Sequence, residues 1–481
     1  MWKLLAESSL WIAAIVGFII SIGSAIHVIL YKRDVRAAFG WAGFCMAVPY
    51  VGPFLYLCFG INRVQRKAIK LRRSRVRLQA PLEISNATED LPSFSDISTT
   101  LDSLSLLVDG LVERPLLSGN KFTLLTNGDE AYPEICKAIR EAKHSVTLLT
   151  YIFDNDQAGK MFVDALKEAH DRGVQVRVLI DDMGRRYSWV PIDRVLREAG
   201  IPTDLFMKTE IPWSMQFVNL RNHRKIIVID GKVGYTGGLN IRDGHMHSLN
   251  PKHKIQDIHF RVEGPVVTHL QEAFAEDWVY TTGELLEGEP WFVPLQHEGK
   301  TLARGIPDGP DGDFESIRWT ILGALSCARS SIRIITPYFL PDQTLITSLN
   351  LAAMRGVDVE ILLPERGNLP TVQWASTATL HQVMERGCKV YYTPPPFDHS
   401  KLMVVDKTWV LLGSANWDPR SLRLNFEFNV ECYDAELGKD VHERLGAIKQ
   451  QSKLVTPDHL SNRSFPAKVR DGFARLFSPY M

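Results

Sequence analysis

The stretch NHRKIIVIDGKVGYTGGLN, residues 222–240, constrains this chain more than any other, because its pattern recurs 176 positions later as DHSKLMVVDKTWVLLGSAN, residues 398–416. In each copy a histidine and a lysine are separated by one residue, an aspartate follows after four more, and six residues later come a small pair, a spacer and an asparagine. The first copy supplies His223, Lys225, Asp230, Gly237, Gly238 and Asn240, and the second His399, Lys401, Asp406, Gly413, Ser414 and Asn416. The runs IIVI and LMVV are β-branched or bulky and too short for a helix, so each copy reads as a buried strand. A strand repeats its faces every two residues, which puts the histidine and lysine of each copy on one face. Asp230 falls out of that phase and stands beside Gly231, which predicts a turn. Asp230 and Asp406 are therefore expected to support the site more than to react.

The duplication extends beyond these motifs. HSVTLLTYIFDNDQ (144–157) matches SSIRIITPYFLPDQ (330–343), and RGVQVRVLIDD (172–182) matches RGVDVEILLPE (355–365), in the same order. Each half reads strand, helix, strand, helix and motif strand, which predicts an α/β architecture of mixed sheets flanked by helices. The halves are expected at 113–296 and 297–464. A chain of 481 residues can bury more than one core. Lys plus Arg equals Asp plus Glu at 55 each, so net charge points to no partner, and only the distribution of charge is informative. The six cysteines, Cys45, Cys58, Cys136, Cys327, Cys388 and Cys432, form no CxxC pair and no metal-ligand spacing. They read as free, mostly buried thiols suited to a reducing compartment.

Ahead of the repeats lies a membrane-like region. Residues 10–30, LWIAAIVGFIISIGSAIHVIL, carry no charge and match the ~20 apolar residues that a bilayer requires. The run is too long for a cleaved signal peptide and lacks an evident small-residue cleavage site. His27 within it is expected to be interfacial or packed. A second uncharged run, Ala37 to Gly60, is interrupted by Pro49, Gly52 and Pro53 and predicts a kinked second span or a re-entrant hairpin. These two spans occupy residues 1–62. The basic run INRVQRKAIKLRRSRVRL (61–78) holds eight Lys and Arg residues and no acid, which favours a cytoplasmic location for this end and attraction to anionic lipid headgroups. Residues 63–112 read as this juxtamembrane segment followed by a linker with a weak helix. The tail, 465–481, places Phe465, Val469, Phe473, Leu476 and Phe477 at helical spacing, with Lys468, Arg470 and Arg475 between them. Such an amphipathic helix suits a membrane interface or docking on the globular part.

Two imidazoles, two ammoniums and two Asn amides suit phosphoryl transfer, which needs a nucleophile, an acid for the leaving oxygen, and donors for the equatorial phosphoryl oxygens. Lys225, Lys401, Asn240 and Asn416 would hold those oxygens, so the chemistry calls for no metal and no cofactor. Each histidine also needs a group that fixes its tautomer. Asp257 in QDIHFRVEG and Glu427 in NFEFNVECYD begin alternating strands downstream of the motifs and are the candidates.

The duplicated HxKx4Dx6G(G/S)xN pattern resembles the phospholipase D superfamily. The two N-terminal spans with PYVGPFLYLCFG, the basic run, TYIF and TPYF, TVQWAS (371–376) and DPRSLRLNFEFNV together resemble bacterial cardiolipin synthases of the two-span type. The resemblance implies two tandem phospholipase D-like mixed-sheet domains of the α/β class, related by a pseudo-twofold duplication and preceded by two transmembrane helices. It implies phosphatidyl transfer between two phosphatidylglycerol molecules with release of glycerol, at an active-site set of His223, Lys225, Asp230, His399, Lys401 and Asp406. The setting it implies is the bacterial inner membrane, with phosphatidylglycerol and anionic lipid as partners and no nucleic acid. Ser400, where threonine is common, and Ser414, in place of a second glycine, are the departures. A hydrolase of the same superfamily that uses water as acceptor, and an inactive membrane scaffold, are the rivals. Intact motifs in both halves count against the scaffold.

Overall fold

The computed structural model describes residues 2–32, 35–60, 99–208, 220–310 and 313–478. The chain divides into two compact units, Met1–Lys67 and Ala68–Met481. The seam expected near residue 296 therefore lies inside one unit. The basic run at 61–78 and the first part of the expected linker, through residue 98, lie outside the described residues.

In the N-terminal unit a helix runs from Trp2 to Tyr31, and its Trp11–Tyr31 part, with mean hydropathy 2.4, is long and apolar enough to cross a membrane. The second apolar run is not one continuous helix. It forms Val35–Ala47, breaks at Pro49 and Tyr50, where Tyr50 takes φ 68°, then resumes as Val51–Leu55 and a π-helical turn, Tyr56–Gly60. Proline supplies no backbone N–H to continue the first piece. That piece, at ~1.5 Å per residue, spans about 20 Å, short of a ~30 Å hydrocarbon core. His27 is packed, its Nδ1 2.9 Å from the Tyr56 hydroxyl.

The second unit is built on a sheet of 15 strands among the described residues. From the seam outward the first half runs Leu117–Thr126, Ile258–Glu263, Val233–Gly237, Ile226–Ile229, Ser145–Thr150, Gln175–Asp181, Thr203–Phe206. The second half repeats that order as Thr301–Asp308, Glu427–Tyr433, Trp409–Gly413, Leu402–Val405, Ser331–Ile335, Asp358–Pro364, Lys389–Thr393, with Lys453–Leu454 added at the edge. The halves join antiparallel where Leu117 and Asn120 face Ala303 and Thr301 across a register shift. The repeated DQ pairs recur as helix starts, since Asp156 accepts from the N–H of Gly159 and Asp342 from that of Leu345.

The motif strands are buried on both faces, and their alternate residues enter different cores. Ile226 and Val228 join a core that also contains Leu402 and Val404 from the other half, while Ile227 and Ile229 pack under the outer helices of the first half. Met403 and Val405 do the same in the second half. One core is thus shared by both repeats. The expected linker also contributes to packing. Thr99–Asp109 is a helix whose Leu101, Leu104 and Val108 are buried with the second-half core, and its Asp109 pairs with the buried Arg304. Its apolar residues recur at helical spacing, so residues 99–109 belong to the folded unit and not to a linker.

Candidate active site

Both HxK pairs stand in the extended lead-in to their short strands, and the two lead-ins are held by the opposite half. Asn222 bridges in parallel to Phe426, and the His223 N–H donates to the Phe426 carbonyl at 2.8 Å. Phe397–Asp398 pairs in parallel with Ile255–Gln256, and the His399 N–H donates to the Gln256 carbonyl at 2.7 Å. Each histidine is thereby set beside the residue that follows its partner, which is Glu427 in one case and Asp257 in the other.

The carboxylates are consequently crossed. His223 Nδ1 lies 3.0 Å from both Glu427 oxygens, and His399 Nδ1 lies 2.9 Å from Asp257 Oδ2. Glu427, in the second half, serves the histidine of the first, and Asp257 serves the histidine of the second. A carboxylate beside Nδ1 requires a hydrogen there and leaves Nε2 as the reactive nitrogen. Lys401 Nζ also stands 3.0 Å from His399 Nδ1. An ammonium only donates, so with the Nδ1 hydrogen committed to Asp257 this is a close approach of charge and not a second bond. Both lysines reach back to the carbonyl of their own histidine, Lys225 at 2.7 Å. His223, Lys225, His399 and Lys401 are each at most 8 % exposed, and the two carboxylates are fully buried.

Burial sets the charge states. It pushes the His223 imidazole down to about 4, against the pull of Glu427 and with the lysines adding to the depression. His399 is lowered well below its ordinary value by burial, then by Lys401, Lys225 and His223. Burial also lowers Lys225 to about 7 and Lys401 to about 8, against the pull of Glu427 on the first and Asp257 on the second. Glu427 resists the upward push of its own burial, because His223, Lys225 and Ser414 hold its charge and carry its pKa below the ordinary range. The site in this state is a pair of neutral imidazoles beside two ammoniums that are costly to keep charged. An entering phosphodiester anion relieves both costs.

Asp230 and Asp406 are not brought to the imidazoles. Asp230 accepts from the backbone N–H groups of Lys143, His144 and Ser145, and Asp406 from those of Arg329, Ser330 and Ser331. Both sit at positive φ in hairpin turns, 52° and 51°, and tie each turn to the start of a neighbouring strand. Asn240 accepts from the Ile152 N–H at 3.3 Å. Asn416 donates Nδ2 to Ser421 Oγ at 3.2 Å, and its buried Oδ1 has no partner. One of the two amide hydrogens of Asn416 is thus used inside the protein, and the second is left for an acceptor.

The small pairs follow the carboxylates. Ser414 Oγ donates to Glu427 at 2.5 Å, and Asn425 Nδ2 donates to the same carboxylate at 3.0 Å. At the matching Gly238 a Cβ would stand 2.2 Å from Asp257 Oδ1. The serine braces the longer Glu, and the glycine makes room for the shorter Asp. Three rings missed by sequence reasoning complete the surroundings. Tyr151 meets His223 edge-on at 5.2 Å, Tyr338 meets His399 edge-on at 6.5 Å, and buried His245 lies 6.3 Å from His399. The tyrosines stand in TYIF and TPYF but at unmatched positions of the repeat, so the duplication could not single them out.

Comparison with known proteins follows the same lines. The family described as "Cardiolipin synthase, PLD-like domain" matches residues 135–278 and 321–448, and the "Phospholipase_D-nuclease N-terminal" family matches residues 19–60. The chain is 31 % identical over 469 residues to cardiolipin synthase 1 of Bacillus anthracis, covering 96 % of this chain and 92 % of that one. It is 31 % identical to the major cardiolipin synthase of Bacillus subtilis, with 96 % and 98 % covered. Among solved structures, phosphatidylserine synthase of Haemophilus influenzae shares the fold with TM-score 0.60 at 17 % identity, covering 79 % of this chain and all of that one.

Proposed function

Since the chain belongs to the cardiolipin synthase family and is a phosphatidyltransferase of the phospholipase D superfamily, we propose that His223 and His399 together move a phosphatidyl group from one phosphatidylglycerol to another. The negative charge of the bound diester favours protonation of His399, which takes a proton from solvent on Nε2. In the first step His223 Nε2 then attacks phosphorus, the bond to the glycerol oxygen breaks, and His399 gives that oxygen its Nε2 proton. The product is a phosphatidyl-His223, whose Nδ1 hydrogen and new positive charge face Glu427. In the second step His399 takes the proton from a hydroxyl of the acceptor lipid, the hydroxyl oxygen attacks phosphorus, and the P–N bond breaks to release cardiolipin and neutral His223. Lys225 and Lys401 balance the charge on the non-bridging oxygens. The reading is supported by the crossed pairs, His223 with Glu427 and His399 with Asp257, which tie the histidine of each motif to the opposite half, and by the electrostatic influence of His223 and Lys225 on His399.

One observation favours the reverse order of the histidines. Lys401 Nζ stands 3.0 Å from His399 Nδ1 and opposes its protonation, which makes His399 the less ready acid for the first step. Assignment of the intermediate to His223 rests on the resemblance to related two-motif enzymes. Trapping with a slow substrate separates the two orders: His223→Ala should abolish labelling and His399→Ala should accumulate it, and the opposite result reverses the roles.

The setting proposed is a bacterial inner membrane, with residues 1–60 crossing it twice and the catalytic unit in the cytoplasm. The uncharged runs and the basic segment at 61–78 support that orientation. Phosphatidylglycerol is both donor and acceptor, and nucleic acid is not a substrate. The purified full chain, given labelled phosphatidylglycerol in vesicles, should yield cardiolipin and glycerol; phosphatidate and glycerol would make it a hydrolase. Because lysines supply the positive field, activity should survive an excess of EDTA, and loss that is restored by one divalent ion would refute this scheme.

A further inference from the structure

The C-terminal helix, Phe465–Leu476, is docked by the side opposite to its apolar face. Its Ala474 is buried with Leu340 and Ala375, the latter on the helix Pro370–Met384. Asp471 is buried and pairs with Arg463 and Arg470, and the Arg470 guanidinium lies 4.4 Å from the centre of the Trp374 ring. Docking thus consumes the one acid of the helix and leaves its large apolar residues outside.

Phe465, Val469, Phe473, Leu476 and Phe477 are 78, 53, 62, 69 and 47 % exposed. Their spacing of i, i+4, i+8, i+11 and i+12 places them in a single stripe. Lys468 and Arg475 are exposed on one flank of that stripe and Arg470 on the other. A stripe of this size left in water on a helix already fixed to the protein calls for a partner. Lys468 and Arg475 along one border, with the one acid of the helix already neutralised by Arg463 and Arg470, match an apolar layer roofed by negative headgroups. We propose that this helix is an interfacial anchor, laying its phenylalanines into the surface of a bilayer that contains anionic phospholipid.

The position of the helix gives the contact a purpose. Leu340, against which it packs, is two residues beyond Tyr338, whose ring stands edge-on to His399. The anchor is therefore braced against the segment that lines the reacting centre. A phosphatidyl substrate keeps its acyl chains in the bilayer, so its phosphate reaches the centre only if the centre is held at headgroup level. This last point rests on the lipid substrate proposed above, whereas the anchor itself does not.

The test uses the full chain reconstituted into vesicles. With exposed Cys58 replaced by serine, an environment-sensitive fluorophore is attached at Phe473→Cys and, as a reference on an exposed helix position, at Glu443→Cys. In vesicles of equal parts phosphatidylglycerol and phosphatidylcholine the label at 473 should shift to the blue and be quenched by brominated lipid, while the label at 443 should remain water-like. Water-like emission at both sites would overturn the proposal. So would a shift that persists in detergent and follows protein concentration, which would assign the face to a second copy of the chain, and so would an equal shift in pure phosphatidylcholine. In parallel, serine at all five apolar positions should lower turnover of vesicle phosphatidylglycerol by about tenfold and leave turnover of monomeric short-chain phosphatidylglycerol within about twofold. If both fall together the helix is only a structural brace. If the wild type makes phosphatidate, the synthase reading fails while the fluorescence still decides the anchor.

Discussion

At the scale of single residues, the two halves of the site have matched roles and unmatched means. A short carboxylate faces a glycine in one half and a longer one faces a serine in the other, and substitution effects should follow that difference. Gly238→Ser should cost about a hundredfold in kcat, since its side chain claims the space of Asp257 and a shift of ~1 Å in His399 is enough for such a loss. Ser414→Gly removes one of two braces on Glu427 and should cost no more than about tenfold, so equal losses would contradict the assigned asymmetry. The lysines make a second prediction. In the free enzyme Lys225 titrates near 7 and Lys401 near 8, both lowered chiefly by burial, so raising the pH through that interval removes the charges that attract the diester. The profile of kcat/KM should therefore fall above about pH 7 to 8, whereas kcat should hold to higher pH because the bound anion keeps both ammoniums charged. A kcat/KM that stays flat to about pH 9 would show that the lysines are never neutral in the free site.

At the scale of elements, the hairpin turns do work that the motif spelling conceals. Asp230 and Asp406 each collect backbone N–H groups from a neighbouring strand start, so Asp230→Ala should destabilise the fold by about 2 kcal/mol, as charge-assisted bonds of this kind do. His223→Ala should leave the melting temperature nearly unchanged and abolish turnover; if Asp230→Ala melts like the wild type and is equally dead, Asp230 belongs to the chemistry after all. That such a turn exists was legible from Asp230 beside Gly231, and the strand phase of HxK was legible from IIVI and LMVV. The pairing of histidines with carboxylates was not, because His223 and Glu427 are 204 positions apart and His399 and Asp257 are 142 apart, and periodicity carries no information on register between distant strands. The seam strands Leu117–Thr126 and Thr301–Asp308 escaped for another reason. Their Gly119, Gly305 and Pro307 weaken a local strand pattern, and pairing with the distant strands Ile258–Glu263 and Glu427–Tyr433, completed by the seam contact, makes strands of them. Thr99–Asp109 had a helical stripe of Leu101, Leu104 and Val108, but its Ser, Thr and Asp content pointed to a linker.

At the scale of the whole catalytic unit, the duplication has produced one machine out of two repeats. Each repeat contributes its own HxK but relies on the other for the carboxylate that orients its histidine and for the backbone acceptor of the histidine N–H. The core beneath Ile226 and Val228 in one half and Leu402 and Val404 in the other is continuous, so neither repeat has a complete interior when alone. A superfamily member with one motif per chain could assemble the same centre from two chains, and mixing two differently disabled chains would then restore activity. Here all four partners of the crossed pairs come from a single chain, and the seam between Leu117–Thr126 and Thr301–Asp308 ties the halves together by backbone hydrogen bonds. An equimolar mixture of His223→Ala and His399→Ala full-length protein should accordingly remain as inactive as either variant alone, measured as cardiolipin formed in vesicles over the time in which wild type converts most of its substrate. Recovery approaching one quarter of wild-type activity would mean that halves exchange between chains, and the centre would then have to be described as a property of a dimer.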